Sequence, residues 1–180
     1  CWFITGTDTE IGKTYVTAEL LQALNRAGIS ANGYKPVASG SEETPLGLKN
    51  PDAVAHILAS HQQMPSEMVN PYFFKEAEAP HLLSKAQGIP IDFKVMSEGL
   101  HNIATKGEVT LVEGAGGWYT PLSRKASFAD WVEENRLPVI VVVGLKLGVI
   151  NHALLTFEAI EARGLKVAGW IANHLSDSPS

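Results

Sequence analysis

Cysteine is nearly absent from this chain: one copy in 180 residues, at position 1. A lone thiol excludes an internal disulfide and suits a reducing, cytoplasmic setting. Cys1 itself reads as a terminal bystander rather than a nucleophile. Long apolar stretches are missing too. The longest, Leu137 to Leu145, is interrupted by Pro138 and is too short to span a bilayer, so no membrane partner is expected. Basic residues are outnumbered, with 14 Lys and Arg against 19 Asp and Glu for a net charge of −5. With no Lys/Arg cluster and no interleaving of aromatic and basic residues, nucleic acid is not an expected partner either. The first residues lack the basic-then-apolar pattern of a signal peptide. The chain opens at Cys1, directly inside an expected strand, so the natural N-terminus is expected to lie upstream. Repeats and low-complexity segments are absent. Six histidines show no His-x-x-x-His spacing and are expected to be structural or surface groups. Only His152 and His174, beside expected strand ends, stand out among them.

What is present is ordinary globular material, 45% hydrophobic and 18% charged, in a length that suits one domain over residues 1–180. Short β-branched runs alternate with amphipathic stretches. Strands are expected at Trp2–Thr5, Ser30–Lys35, Glu108–Val112, Pro138–Val143 and Lys166–Ala172. Helices are expected from Lys13 to near Gly28, at Asp52–Ser60 with Asp52 at or near the N-cap, near His81–Ala86, at Asp92–Lys106, at Ser127–Asn135 and after Gly148. The helix at 92–106 is expected to turn Val95, Leu100 and Ile103 inward. The one after Gly148 is expected to carry Ile150, Ala153, Leu154, Phe157 and Ile160 on one face. Val37 to Pro51 reads as a long functional loop. This alternation implies an α/β fold: a mostly parallel sheet with helices on both faces. Gly6, Lys35, Glu113, Gly144 and Asn173 then fall at strand C-termini, where ligands bind in such sheets.

Gly6-Thr-Asp-Thr-Glu-Ile-Gly-Lys-Thr14 reads as a phosphate-binding loop, since Gly-Lys-Thr at a helix start offers backbone N–H groups and a helix dipole to a polyphosphate. Lys13 would reach the terminal phosphates and the Thr14 hydroxyl would bind Mg²⁺. Five residues separate Gly6 from Gly12, one more than the usual four. Glu10 inside the loop needs a neighbouring cation, either Mg²⁺ or a substrate ammonium, unless it points to solvent. Gly33-Tyr-Lys-Pro-Val-Ala-Ser-Gly40 ends the next strand with a second lysine, Lys35, followed by Ser39. Two lysines on neighbouring strand ends concentrate positive charge where a γ-phosphate would lie, which favours phosphoryl transfer onto an acidic acceptor. Asp52 and Glu113 are the carboxylate candidates for Mg²⁺ beside Thr14. Asp52 has helix capping as a competing role. Trp118 and Tyr119 read as packing.

These strings, together with Val112-Glu-Gly-Ala-Gly-Gly-Trp118, Phe128-Ala-Asp-Trp131 and Gly148-Val-Ile-Asn-His152, closely resemble the dethiobiotin synthetase family of the biotin pathway. The resemblance runs over nearly the whole chain, and the extra loop residue belongs to that family's pattern. It implies a P-loop NTPase-like fold and an ATP-dependent cyclo-ligase. Such an enzyme carboxylates 7,8-diaminononanoate with CO₂, phosphorylates the carbamate and closes the ureido ring. It further implies Lys35 and Lys13 as catalytic residues. ATP contacts would come from Glu10, Ile11, Gly12, Lys13, Thr14 and Tyr15, from Asp52, from Glu113, Gly114, Ala115 and Gly116, and from Asn173 and His174. Thr9, Glu10, Lys35 and Ser39 would contact substrate. In a homodimer, the partner's Gly148, Val149, Ile150 and Asn151 would receive the substrate carboxylate. Family members continue some tens of residues further, so part of the nucleotide pocket is expected outside this chain. The main rival is a partner-regulated P-loop ATPase switch, which usually carries a second lysine inside the phosphate loop. An amidating synthetase would add a glutaminase domain with a nucleophilic cysteine, and a non-catalytic nucleotide-binding module is the last alternative.

Overall fold

The computed structural model describes residues 1–175. Its centre is a five-stranded, fully parallel sheet in the order β2-β7-β1-β8-β9. The strands are β1 (Trp2–Gly6), β2 (Ala31–Tyr34), β7 (Val109–Glu113), β8 (Val139–Leu145) and β9 (Val167–His174). Both faces of the inner strands are apolar. Phe3, Val112 and Val141 point into one core with Trp131 and Phe128, while Ile4, Leu111 and Val142 point into the other with Val16 and Leu21. Side chains one residue apart thus go to opposite sides, and each side must be covered by helices.

Helix α1 (Lys13–Arg26) and helix α2 (Pro51–Ala59) supply Val16, Leu21 and Ala59 to the smaller core. Helices α5 (Phe93–Ala104), α6 (Phe128–Glu134) and α7 (Val149–Glu161) supply the larger one. Between β2 and α2 lie β3 (Val37–Ala38) and a hairpin of β4 (Glu42–Thr44) and β5 (Gly47–Lys49), so the segment expected to be loop carries short strands. Next come α3 (Ser66–Val69), β6 (Tyr72–Phe73), which pairs with β3, and α4 (Pro80–Gln87).

The structure refines the expected helices at three points. The N-cap of α2 is Asn50, whose side chain accepts from the amides of Asp52 and Ala53, and Asp52 lies inside the first turn. Pro51 explains the shift, because a proline at N1 needs no amide partner and fixes the helical φ. On α5 it is Met96 that is buried with Leu100 and Ile103, while Val95 is exposed. On α7 the inward set is Val149, Ala153, Phe157 and Ile160; Ile150 and Leu154 face outward.

Candidate active site

The C-terminal ends of β1, β2 and β7 converge on one cavity of about 770 Å³. The phosphate-loop candidate follows β1 and bends through two left-handed residues, Glu10 at φ 57° and Gly12 at φ 85°. For glutamate that backbone is costly and marks a turn held by its surroundings. A Cβ on Gly12 would collide with the side-chain amide of Asn173, which itself donates to the Ile11 carbonyl at 2.8 Å. The loop is therefore closed against β9. Lys13 opens α1, is almost wholly buried, and points its ammonium at the Asp8 carbonyl at 3.1 Å.

Lys35, one residue past β2, lines the same cavity as Lys13. Its Nζ donates to Glu113 Oε1 at 2.6 Å and to the Gly114 carbonyl at 3.0 Å, and lies 3.0 Å from Asp52 Oδ2. Thr14 Oγ1 donates to the same Glu113 oxygen at 2.9 Å. Lys35 and Glu113 are both buried, whereas the Asp52 side chain is 40% exposed. Because Asn50 caps α2, the Asp52 carboxylate is free of the helix end and faces the lysine. Asn50 also donates to the Ser39 carbonyl at 3.1 Å, tying the cap to the cavity wall.

The electrostatics follow from this packing. Burial drives the Lys35 ammonium toward neutrality, but Glu113 and Asp52 outweigh it and hold its pKa above the ordinary lysine value. Burial also pushes Glu113 upward, yet Lys35 and His56 leave it well below the usual carboxylate range. Among the described residues Lys13 has no carboxylate at hydrogen-bond distance. Burial, with the Lys35 charge beside it, lowers its pKa to about 8. An anion arriving between the two lysines would relieve that penalty directly.

Thr14, Asp52 and Glu113 gather oxygen donors of the kind Mg²⁺ takes, few in number and next to a phosphate loop. The residues fit that ion, with Lys35 Nζ lying between the two carboxylates. Among the described residues no group of three or more His, Cys, Asp or Glu could hold a metal ion.

Of the residues singled out from sequence, Thr9, Glu10, Gly12, Lys13 and Thr14 line the cavity from the loop side. Lys35, Ser39, Asp52, Glu113, Ala115 and Gly116 line it from the other strand ends. Ile11 is a core residue and Tyr15 is exposed. Gly114 contributes its carbonyl to Lys35, and its Cα packs against the Phe3 ring. Asn173 reaches the loop, whereas His174, the next residue on β9, is exposed on the other face. Gly148, Val149, Ile150 and Asn151 line a separate shallow depression with Lys146 and Leu154 and do not enter the cavity of the same chain. Trp118 is buried edge-on against Phe3, and Tyr119 lies under the Arg163 guanidinium.

Two features escaped sequence reading. The stretch Ala77 to Pro80 forms a wall of the cavity, carried there by Gly40 and Ser41 amides bonded to the carbonyls of Glu76 and Phe74. Nothing in its composition signals a site. His56, grouped above with structural histidines, is fully buried with Nε2 2.7 Å from Glu113 Oε2. Its spacing four residues after Asp52 was the available signal, since it puts both on one helix face.

Comparison with known proteins places this geometry. A family model described as an AAA domain matches residues 2–179. An ATP-dependent dethiobiotin synthetase BioD of Serratia marcescens is 53% identical over 178 residues, 99% of this chain and 78% of that protein. BioD 1 of Escherichia coli K12 is 54% identical over 175 residues, covering 97% of this chain and 78% of its own length. The chain belongs to the dethiobiotin synthetase family. Among solved structures, a ParA-family ATPase from Chlorobium tepidum overlays with a TM-score of 0.53 at 14% identity, covering 96% of this chain and 72% of that one. The kinase domain of the E. coli tyrosine kinase ETK gives 0.52 at 12%, covering 99% and 69%. At that identity the likeness extends to the fold alone.

Proposed function

We propose that this protein is an ATP-dependent dethiobiotin synthetase, a cyclo-ligase that closes a carbon–nitrogen ring. The supporting observation is the pair Lys13 and Lys35 in one cavity with Thr9, Glu10 and Ser39, within a chain 53% identical to a protein of that name. The substrates are ATP, CO₂ and 7,8-diaminononanoate, whose two amines sit on adjacent carbons. One amine adds to CO₂ and loses a proton, giving a carbamate. A carbamate oxygen attacks the γ-phosphorus, forming a P–O bond as the bond to ADP breaks. The second amine attacks the carbonyl carbon of this mixed anhydride; phosphate leaves, the amine proton is lost, and the cyclic urea remains.

Each side chain has a task in that sequence. Carbamate and γ-phosphate repel, so catalysis is mostly positioning and charge neutralisation. Lys13 faces the phosphate side. Lys35, held by Glu113 and Asp52, stands ready to shift onto the oxygen shared by carbamate and phosphorus. Glu10 and Thr9 receive the amines, Glu10 as a counter-charge to an ammonium, while Ser39 meets the carbamate. Asn173 sits beside the loop where adenine is recognised. Mg²⁺ would be held by Thr14, Asp52 and Glu113, and when bound it screens the triphosphate charge. The working unit is a cytoplasmic homodimer. Gly148, at φ 90°, opens α7 with no side-chain cap, which suits this turn of one subunit to receive the carboxylate of substrate held by the other.

Incubation with ATP, bicarbonate and diaminononanoate tests the reading. ADP release that requires the diamine supports it. Release that ignores the diamine and requires a protein partner would instead indicate an ATPase switch.

A further inference from the structure

Glu113 uses its two oxygens differently. Oε1 is crowded, accepting from Lys35 Nζ and from Thr14 Oγ1. Oε2 lies 2.7 Å from Nε2 of His56, close enough for an ion-pair contact, but among the described residues neither atom has a partner in hydrogen-bond geometry. His56 is fully buried, and neither of its ring nitrogens has a hydrogen-bond partner among the described residues. A buried imidazole with an unpaired nitrogen costs stability, and an aliphatic side chain would avoid that cost. A Cβ on Gly33 would come within 2.8 Å of His56 Cβ, 3.0 Å of Leu21 Cδ1 and 3.1 Å of His56 Cγ, so the bare backbone of β2 leaves room for the side chain at position 56. Helix α2 thereby touches the Lys35–Glu113 pair twice, with Asp52 on the ammonium and His56 on the carboxylate.

We propose that His56 is a positioning residue for the ligase reaction: it holds Oε2 of Glu113 and so keeps Oε1 turned toward Lys35 and Thr14. The proposal rests on the synthetase reading. Without His56 the carboxylate rotates about its last torsion, and both the resting place of Lys35 and the oxygen offered to Mg²⁺ become variable. The imidazole meets neither substrate nor nucleotide. Its effect falls on the rate of the bound complex and on metal affinity rather than on capture of the diamine.

The test compares His56→Leu with His56→Gln, whose amide N–H replaces the donor. For His56→Leu, kcat should fall about 10- to 100-fold, the range for losing a group that orients a metal-site ligand. The diamine KM should stay within about twofold of wild type, and Tm should be unchanged or raised. Calorimetric Mg²⁺ affinity with a non-hydrolysable ATP analogue bound should fall by about tenfold or more, and His56→Gln should recover most of both losses. Wild-type kcat and metal affinity in folded His56→Leu would overturn the proposal. So would equal losses in both variants with a lowered Tm, the mark of a packing role. On the unmutated protein, ¹⁵N spectroscopy should find a proton on His56 Nε2, and a bare Nε2 overturns the proposal whether or not the variants fold. Wild-type ADP release that ignores the diamine would contradict the synthetase reading while leaving the metal-affinity comparison intact.

Discussion

Lys35 is a cation kept out of water beside two carboxylates, and Lys13 is a cation kept out of water with none at hydrogen-bond distance among the described residues. The difference assigns them separate behaviour. Replacing Lys35 by glutamine, in protein shown to be folded by circular dichroism, should lower kcat by at least about 10²-fold, the scale for one lost transition-state donor. Lys13, with its pKa lowered to about 8, should be largely neutral in the free enzyme at pH 9. A bound triphosphate restores its charge. Nucleotide binding at pH 9 should therefore take up close to one proton, falling toward zero near pH 7, and affinity should weaken as pH rises past 8. Calorimetry in buffers of different ionisation enthalpy measures that uptake. For stability of the free protein the sign is opposite to that of a paired lysine. The unfolded chain holds this proton up to the ordinary value of 10.5, so the Lys13 contribution grows more favourable between about pH 8 and 10.5.

At the scale of elements, α2 matters more than its length suggests. Asn50 caps it, Pro51 starts it, and Asp52 and His56 leave its inner face toward the Lys35–Glu113 pair. Asn50→Ala should cost about 1 kcal/mol, typical for losing such a cap, and lower Tm by about 2–4 °C in a protein of this size. Because the same side chain holds the Ser39 carbonyl, the variant should also raise the diamine KM, which steady-state kinetics would read alongside the melt. Much of this level was legible in the sequence. The five strands, the loop before α1 and the two lysines follow from β-branched runs and glycines at strand ends. The wall from Ala77 to Pro80 was not, because backbone bonds to Gly40 and Ser41 place it and no residue type encodes such pairing. Asp52 was half legible: its helix was plain, but Pro51 shifted the cap to Asn50 and left Asp52 free for Lys35.

At the scale of the molecule, the parallel sheet gathers residues spread from Thr9 to Pro121 into one cavity, while the turn at Gly148 faces elsewhere on the same chain. The proposed dimer joins the two. Mixing Lys35→Gln subunits with Asn151→Ala subunits, each impaired alone, should give activity well above that of either preparation, because one hybrid site then carries both intact parts. No recovery, with exchange verified by mass spectrometry, would place the whole site within one chain. The proposed task of the paired lysines is to bring a CO₂-derived oxygen onto the γ-phosphorus. The direct measurement supplies ¹⁸O-labelled bicarbonate with diamine and ATP and reads the released phosphate by mass spectrometry before label exchanges with water. One bicarbonate-derived ¹⁸O in each phosphate is the predicted result; phosphate carrying oxygen from solvent alone would contradict it.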